Sequence, residues 1–166
     1  RMLAFNQGGR RPGSAAIYLM PHHPDLMKFL ALVKKTGIEK ERARDLFTAL
    51  WIPDIFMERV RDCGEWSFFD PQKCGDLSEL YGKKYRERYL ELEKAGMASY
   101  KMPAQDIWDE IHAVKSETGL PYICFSDSAN CLSNHKNLGT IKSSNLCTEV
   151  YLYSDSKEYA TCVLSS

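Results

Sequence analysis

The chain has 166 residues, a length suited to one domain, and 44% of them are hydrophobic, enough for a packed core. Lys plus Arg is 22 and Asp plus Glu is 22, so the formal charge is zero and no basic surplus points to nucleic acid or to an anionic membrane surface. No apolar run approaches the roughly 18 residues of a membrane span and no signal peptide shows; the longest stretch without Asp, Glu, Lys or Arg, Pro12 to Pro24, is broken by histidines and prolines.

Residues 5–14, Phe-Asn-Gln-Gly-Gly-Arg-Arg-Pro-Gly-Ser, are predicted as a loop, because glycines and a proline forbid regular structure there. Gly8 and Gly9 allow positive φ and close backbone approach. Arg10 and Arg11 offer rigid donor forks suited to a base edge or a phosphate, although a disordered end fits the same composition. Ala15 to Met20 reads as a short buried strand. Pro24 to Lys35 reads as a helix with Leu26, Phe29, Leu30, Leu32 and Val33 inward and Gly37 as its stop. Leu46 to Ile52 is predicted as a strand, and Pro53 opens a helix that turns Ile55, Phe56, Val60 and, at the edge of that face, Met57 to the core. Trp66 to Phe69 is a short strand and residues 70–78 a loop. Leu80 to Ala95 is a charged helix whose Tyr81, Tyr85, Tyr89 and Leu92 stripe suits packing.

Met97 to Met102 is extended. Pro103 to Thr118 is a helix with Ile107, Ile111 and Val114 on one face and Gly119 at its C′ end. Tyr122 to Phe125 is a strand, residues 127–139 a loop closed by Gly139, and Thr148 to Tyr153 and Glu158 to Leu164 two strand-like runs around a Ser-Asp-Ser-Lys turn. Strand followed by helix, several times over, predicts an α/β architecture with largely parallel strands. The chain begins at Arg1 and stops just after a strand-like run, which predicts a piece cut at both ends and an open set of strands in need of partners.

The six cysteines, 63, 74, 124, 131, 147 and 162, form no CxxC, and the four histidines are not spaced as zinc ligands with them. Free thiols are expected, with any disulfide catalytic. Within Ser-Ser-Asn-Leu-Cys-Thr-Glu, residues 143–149, Asn145, Cys147 and Glu149 fall at i, i+2 and i+4. In an extended segment all three point one way, and an amide, a thiol and a carboxylate converge. The same spacing fits an ordinary strand with a small apolar Cys and solvated neighbours, and by itself favours that plainer reading.

The stretch Asn137-Leu-Gly-Thr-Ile-Lys-Ser-Ser-Asn-Leu-Cys-Thr-Glu149 closely resembles the finger-loop region of the large subunit of class I ribonucleotide reductase. So do Phe5-Asn-Gln-Gly-Gly-Arg-Arg-Pro-Gly-Ser14, Arg42-Ala-Arg-Asp-Leu-Phe47, Ala49-Leu-Trp-Ile-Pro-Asp-Ile-Phe-Met57 and Glu117-Thr-Gly-Leu-Pro-Tyr122, in family order and nearly end to end. These independent blocks favour the reactive reading of residues 143–149. The resemblance implies part of a ten-stranded α/β barrel, with the specificity loop at about 5–14, the finger loop at about 137–149 and no complete second domain. It further implies that the N-terminal regulatory region, most of the effector site, the radical-relaying tyrosines and the C-terminal cysteine pair lie elsewhere.

By that resemblance Cys147 matches the cysteine that becomes a thiyl radical and takes the hydrogen from ribose C3′. Glu149 matches the general base at the 3′-hydroxyl, and Asn145 the residue that hydrogen-bonds the ribose hydroxyls. Cys162 matches one of two cysteines that reduce the substrate and become a disulfide. Cys63, Cys74, Cys124 and Cys131 sit in no matching motif and are taken as structural. Gln7, Gly8, Gly9 and Arg11 match the specificity loop, with Arg10 beside them.

The implied function is reduction of ribonucleoside diphosphates for DNA synthesis, in the cytoplasm. The implied partners are a metal-containing, radical-generating small subunit, thioredoxin or glutaredoxin, and a second copy of the full-length large subunit. The chain itself is expected to bind no metal or cofactor, dNTP and ATP effectors belong to the full-length enzyme, and neither nucleic acid nor membrane is expected.

Met20-Pro-His-His23 departs from the family's Glu-Pro-Trp-His and sets His22 in place of a large aromatic; Val163 stands where relatives often carry Asn or Thr. A plain hairpin turning near Asp155 would leave Cys147 about 13 Å from Cys162 along the ladder, so Cys147 is expected on a loop that folds back. Two other readings compete. A cysteine hydrolase would need His112 or His135 beside Cys147, and a nucleotide-binding remnant would have lost the chemistry.

Overall fold

The computed structural model describes residues 9–10, 13–43 and 45–161. Its centre is β2 (Phe47–Ile52), an almost wholly buried strand of the kind parallel sheets use. It pairs in parallel with β1 (Ala16–Leu19) on one side and β5 (Tyr122–Phe125) on the other, with Tyr18 opposite Ala49 and Trp51 opposite Cys124. Alternation divides β2 between two faces. Leu50 and Ile52 enter the main core, whereas Trp51 joins Cys124 and Ile141 in a separate cluster on the other face.

The main core packs α1 (Leu26–Ala31), α2 (Asp54–Arg61) and α5 (Ala104–Thr118) through Leu26, Leu30, Ile55, Phe56, Ile107, Ile111 and Val114. These are largely the residues that helical periodicity selects, and Gly119 ends α5 in the left-handed conformation at φ 80°. α1 is shorter than its apolar pattern predicts. The Leu32 carbonyl, which a longer helix would offer to Thr36, accepts instead from the Ala43 N–H at 2.8 Å.

β1 is only half-buried, with Ile17 43% exposed, because it lies at the sheet edge. A second pair, β3 (Glu65–Phe69) and β4 (Ala98–Pro103), is antiparallel, unlike the largely parallel set expected. β3 lies outside the parallel sheet, and side chains of α4 (Gly82–Lys94) reach its Ser67. There the Tyr89 hydroxyl accepts from Ser67 N at 2.7 Å and donates to Ser67 O at 3.2 Å.

Three expected irregular or extended segments differ. Residues 70–78 hold a short helix, α3 (Pro71–Cys74), and a 3₁₀ turn, Gly75–Glu79. Asp70 caps Gln72 N at 2.9 Å and Pro71 fills the first position, a start signal present in the sequence. The stretch predicted as the 127–139 loop opens with α6 (Ser126–Leu132). Its Asp127 and Asn130 would ordinarily favour loops by bonding nearby backbone. Here both also have partners beyond the helix: Asp127 accepts from Asp54 N at 2.9 Å and Gly82 N at 2.8 Å, and Asn130, which donates to Ser126 O at 2.9 Å, holds Ile141 by two bonds.

The third difference concerns the strand-like runs around residue 155. The turn is present, with Asp155 Oδ1 accepting from Lys157 N and Glu158 N. No strand forms on either side of it among the described residues, and Ala160 N goes to Ser154 Oγ at 2.9 Å rather than to a carbonyl.

His22 fits its position. It is 7% exposed, its Nδ1 lies 2.8 Å from the Tyr85 hydroxyl, and Trp66 beside it donates from Nε1 to Pro21 O at 3.0 Å. Burial, helped by His23, brings the His22 pKa down to about 4. Among the described residues no helix is long and apolar enough to cross a membrane.

Two stability changes follow from these buried groups. Asp127→Ala orphans the first N–H of both α2 and α4 and should cost about 3 kcal/mol in urea unfolding at pH 7; a loss under about 1 kcal/mol would contradict the double cap. His22 has a lowered pKa when folded, so it costs nothing above about pH 6.5. As pH falls the unfolded chain takes up a proton that the folded chain refuses, and about 3 kcal/mol should disappear between pH 6.5 and pH 4. Urea midpoints across that range should fall more steeply for the wild type than for His22→Gln, and equal slopes would clear His22 of responsibility.

Candidate active site

The second face of the parallel sheet carries Tyr18, Trp51 and Cys124, one from each strand. Against it lies the segment from Ile141 to Tyr153. Its entry is fixed by Asn130, whose Oδ1 accepts from Ile141 N at 2.7 Å and whose Nδ2 donates to Ile141 O at 2.9 Å. Lys142 pairs with Glu79, and Thr140 Oγ1 donates to Glu79 O at 2.8 Å. Gly139 admits the Tyr153 ring, which would lie 2.5 Å from a Cβ at that position.

Residues 145–150 form a closed turn, not the extended run that alternation assumed. Asn145 N donates to Val150 O at 3.2 Å, Thr148 N donates to Asn145 O at 3.2 Å, and Thr148 takes a positive φ of 63°. Asn145 is the knot of this turn. Its Oδ1 accepts from Glu149 N and Val150 N, both at 3.1 Å, and its Nδ2 donates to Glu149 Oε1 at 2.7 Å. Asn145 and Glu149 therefore meet across the turn, and Cys147 stands between them in sequence as an exposed free thiol.

The turn is pinned on both flanks. The Tyr18 hydroxyl donates to Asn145 O at 3.2 Å, and Tyr151 stacks on Trp51 with centroids 5.9 Å apart. Tyr18 meets the same indole edge-on at 6.0 Å. Burial pushes the Cys124 thiol up, while hydrogen bonds from the Tyr151 and Tyr18 hydroxyls pull it back; burial and Cys124 together raise the Tyr151 phenol to about 12. Beside the turn opens a cleft of about 240 Å³ lined by Ser143, Ser144, Asn145, Val150, Leu152, Ser154, Ala160 and Thr161. Its walls join the Asn145 turn to the segment leading towards Cys162.

Cys162, Gln7, Gly8 and Arg11 lie outside the described residues. Gly9 is described, exposed in a turn at φ 75°, and Arg10 next to it is exposed. Among the described residues no histidine bonds Cys147: His112 is exposed and edge-on to Trp108, and His135 Nδ1 accepts from Tyr153 N at 3.4 Å. The hydrolase geometry is therefore absent from this region. No group of three His, Cys, Asp or Glu among the described residues could hold a metal ion. Sequence reasoning passed over Tyr18, Trp51, Cys124, Asp127 and Asn130 as parts of the site's support. The signal for the first three was period-two alternation, which sets Tyr18, Trp51 and Cys124 on the face opposite Leu19, Leu50 and Ile123.

The family described as "Ribonucleotide reductase, barrel domain" matches residues 2–166. The chain is 49% identical over 159 residues to the "Ribonucleoside-diphosphate reductase large subunit" of Arabidopsis thaliana, covering 96% of this chain and 20% of that protein. It is 49% identical over 162 residues to the protein of the same name from Caenorhabditis elegans, covering 97% and 21%. For the Danio rerio protein of that name the figure is 48% over 162 residues, covering 97% and 20%. The chain thus spans about a fifth of the length of the curated relatives it matches.

Asn145→Ala removes the acceptor for two backbone N–H groups and the donor to Glu149. The turn should open locally, and hydrogen exchange at the Glu149 and Val150 amides should rise about tenfold without a matching change at β2. Unchanged exchange at these two amides would refute the side chain's role as the knot.

Proposed function

The chain belongs to the ribonucleotide reductase barrel-domain family, and we propose that it forms the ribose-facing part of the catalytic barrel in the large subunit of a class I ribonucleotide reductase. The observation that carries this reading is the Asn145–Glu149 bond across a turn whose tip bears the exposed Cys147. An amide and a carboxylate held together can grip a vicinal diol and accept a proton from it. An adjacent thiol can exchange a hydrogen atom with a ribose carbon because the two bonds are similar in strength.

In this reading the complete enzyme is an oxidoreductase acting on ribonucleoside diphosphates. A thiyl radical at Cys147 takes the C3′ hydrogen, and Glu149 accepts the 3′-hydroxyl proton. Asn145 holds the ribose hydroxyls while the 2′-oxygen leaves as water. Cys162 and a second thiol outside this chain supply two electrons and are joined as a disulfide, and Cys147 returns its hydrogen to C3′. The parallel sheet β1-β2-β5 then contributes three of the ten barrel strands, and residues 137–149 are the finger loop lying inside it. Gln7, Gly8, Gly9 and Arg11 belong to the loop that couples a bound dNTP or ATP effector to the choice of base.

A metal-containing small subunit supplies the radical, thioredoxin or glutaredoxin restores the thiols, and the large subunit pairs with a second copy in the cytoplasm. The aromatic support under the turn suits this assignment. Three rings and a buried thiol give a rigid floor, and a reactive centre needs its groups held to a fraction of an ångström.

The two cysteines should fail differently in the complete large subunit mixed with substrate, effector and small subunit. Cys147→Ser should abolish substrate radical formation, because an alkoxyl radical is far harder to generate. Cys162→Ser should still form the substrate radical but fail to reduce C2′, so that base is released and the enzyme radical decays. Identical behaviour of the two variants, or substrate-dependent radical loss with Cys147→Ser, would overturn this division of labour. Normal nucleotide binding by a wild-type subunit that neither consumes radical nor reduces substrate would mark a binding remnant instead.

A further inference from the structure

We infer that Tyr18 is a positioning residue for the Asn145–Glu149 pair, acting through the Asn145 backbone carbonyl; the inference rests on the catalytic reading of that pair given above. Tyr18 belongs to β1, outside the loop it contacts and 127 positions away in sequence from Asn145. Its hydroxyl donates to Asn145 O at 3.2 Å, and its ring rests edge-on against Trp51. The opposing residue on β2 is Ala49, so no bulky side chain stands directly across the strand pair. Asn145 in turn fixes the Glu149 carboxylate through its side-chain amide at 2.7 Å. A single hydroxyl on β1 thus locates Asn145, whose side-chain amide holds the Glu149 carboxylate.

The rest of the turn has no equivalent anchor at its catalytic end. Tyr151 stacks on Trp51 beyond the turn, after Val150, and holds the exit of the segment. Asn130 holds the entry, at Ile141. Between these ties, the bond from Tyr18 is the side-chain hydrogen bond joining the Asn145–Val150 turn to the sheet among the described residues. Burial raises the Tyr18 phenol, against hydrogen bonds with Ser144 that lower it. Loss of the Tyr18 bond to Asn145 leaves the turn closed by its own contacts but free to shift on the sheet. Misplacement by a fraction of an ångström matters for a general base and far less for substrate affinity.

The test uses the complete large subunit with its small subunit, reductant and effector. Tyr18→Phe keeps the ring on Trp51 and removes only the donor. Its kcat should fall about five- to tenfold with the KM for a ribonucleoside diphosphate within about twofold of wild type, and the limb of the pH profile lost in Glu149→Gln should move. Replacement of Tyr18 by 3-fluorotyrosine, which restores the hydroxyl, should recover kcat. A kcat within about twofold of wild type for Tyr18→Phe, a change in KM alone, or no recovery with 3-fluorotyrosine would overturn the positioning role. So would an unfolded Tyr18→Phe subunit beside a normal fluorotyrosine one, since the hydroxyl would then serve stability. Glu149→Gln separates the two levels: full activity in that variant defeats the catalytic reading of the pair, whereas an inactive Glu149→Gln beside a normal Tyr18→Phe defeats only the inference about Tyr18.

Discussion

The buried carboxylate of Asp127 accepts the first N–H of two different helices, α2 at Asp54 and α4 at Gly82. Each helix start carries unsatisfied donors and a positive partial charge, so one anion placed between them serves both. The same carboxylate raises its neighbour: burial, then Asp127 and Glu58, push the Asp54 carboxyl up. Because Asp127 lies two residues beyond the end of β5, this contact ties the end of the parallel sheet to two helices from earlier in the chain. Three residues later Asn130 clamps Ile141. The entry of the candidate segment at Ile141 is therefore set by a helix that is itself held by two others.

From there the two faces of the sheet do different work. The aliphatic face, with Leu50 and Ile52, makes the main core with α1, α2 and α5. The other face offers an indole, two phenols and a thiol, which combine apolar area with hydrogen-bonding tips. A loop rich in backbone polar groups can lie on such a surface without orphaning them. That difference explains why the segment 141–153 packs closely while forming no strand. Asn145 then does by side chain what a ladder would do by backbone, accepting the Glu149 and Val150 N–H groups.

The second sheet pair and α4 form an aromatic block behind this arrangement. Trp66 stacks on Tyr89 at 4.4 Å and meets Phe56 edge-on at 4.9 Å. Arg59 pairs with Glu93 at 2.7 Å, and Ser67 Oγ donates to the same carboxylate, so α2, β3 and α4 share one polar knot beside the rings. His22 enters this block as a buried polar ring beside the aromatic ones. It finds a hydroxyl partner in Tyr85, at the cost of a neutral state that acid will disturb.

Most of the helices and strands were legible in the chain because burial follows short-range periodicity. Leu26, Phe29 and Leu30, or Ile107, Ile111 and Val114, announce a helix face by spacing alone, and Gly119 announces its end. The blocks from residue 137 to 149 likewise pointed to the family, since local identity needs no coordinates. One segment that sequence alone misread carries polar residues whose partners lie outside their own helix. Asp127 and Asn130 looked like loop formers until Asp54, Gly82 and Ile141 occupied their side chains. The i, i+2, i+4 spacing of Asn145, Cys147 and Glu149 suggested a shared strand face, yet Asn145 and Glu149 meet because Asn145 closes a turn on itself. Local spacing determines which side chains can share a surface; which backbone they hang from is decided by hydrogen bonds and ring contacts, such as those of Tyr18 and Trp51, that only the folded chain brings within reach.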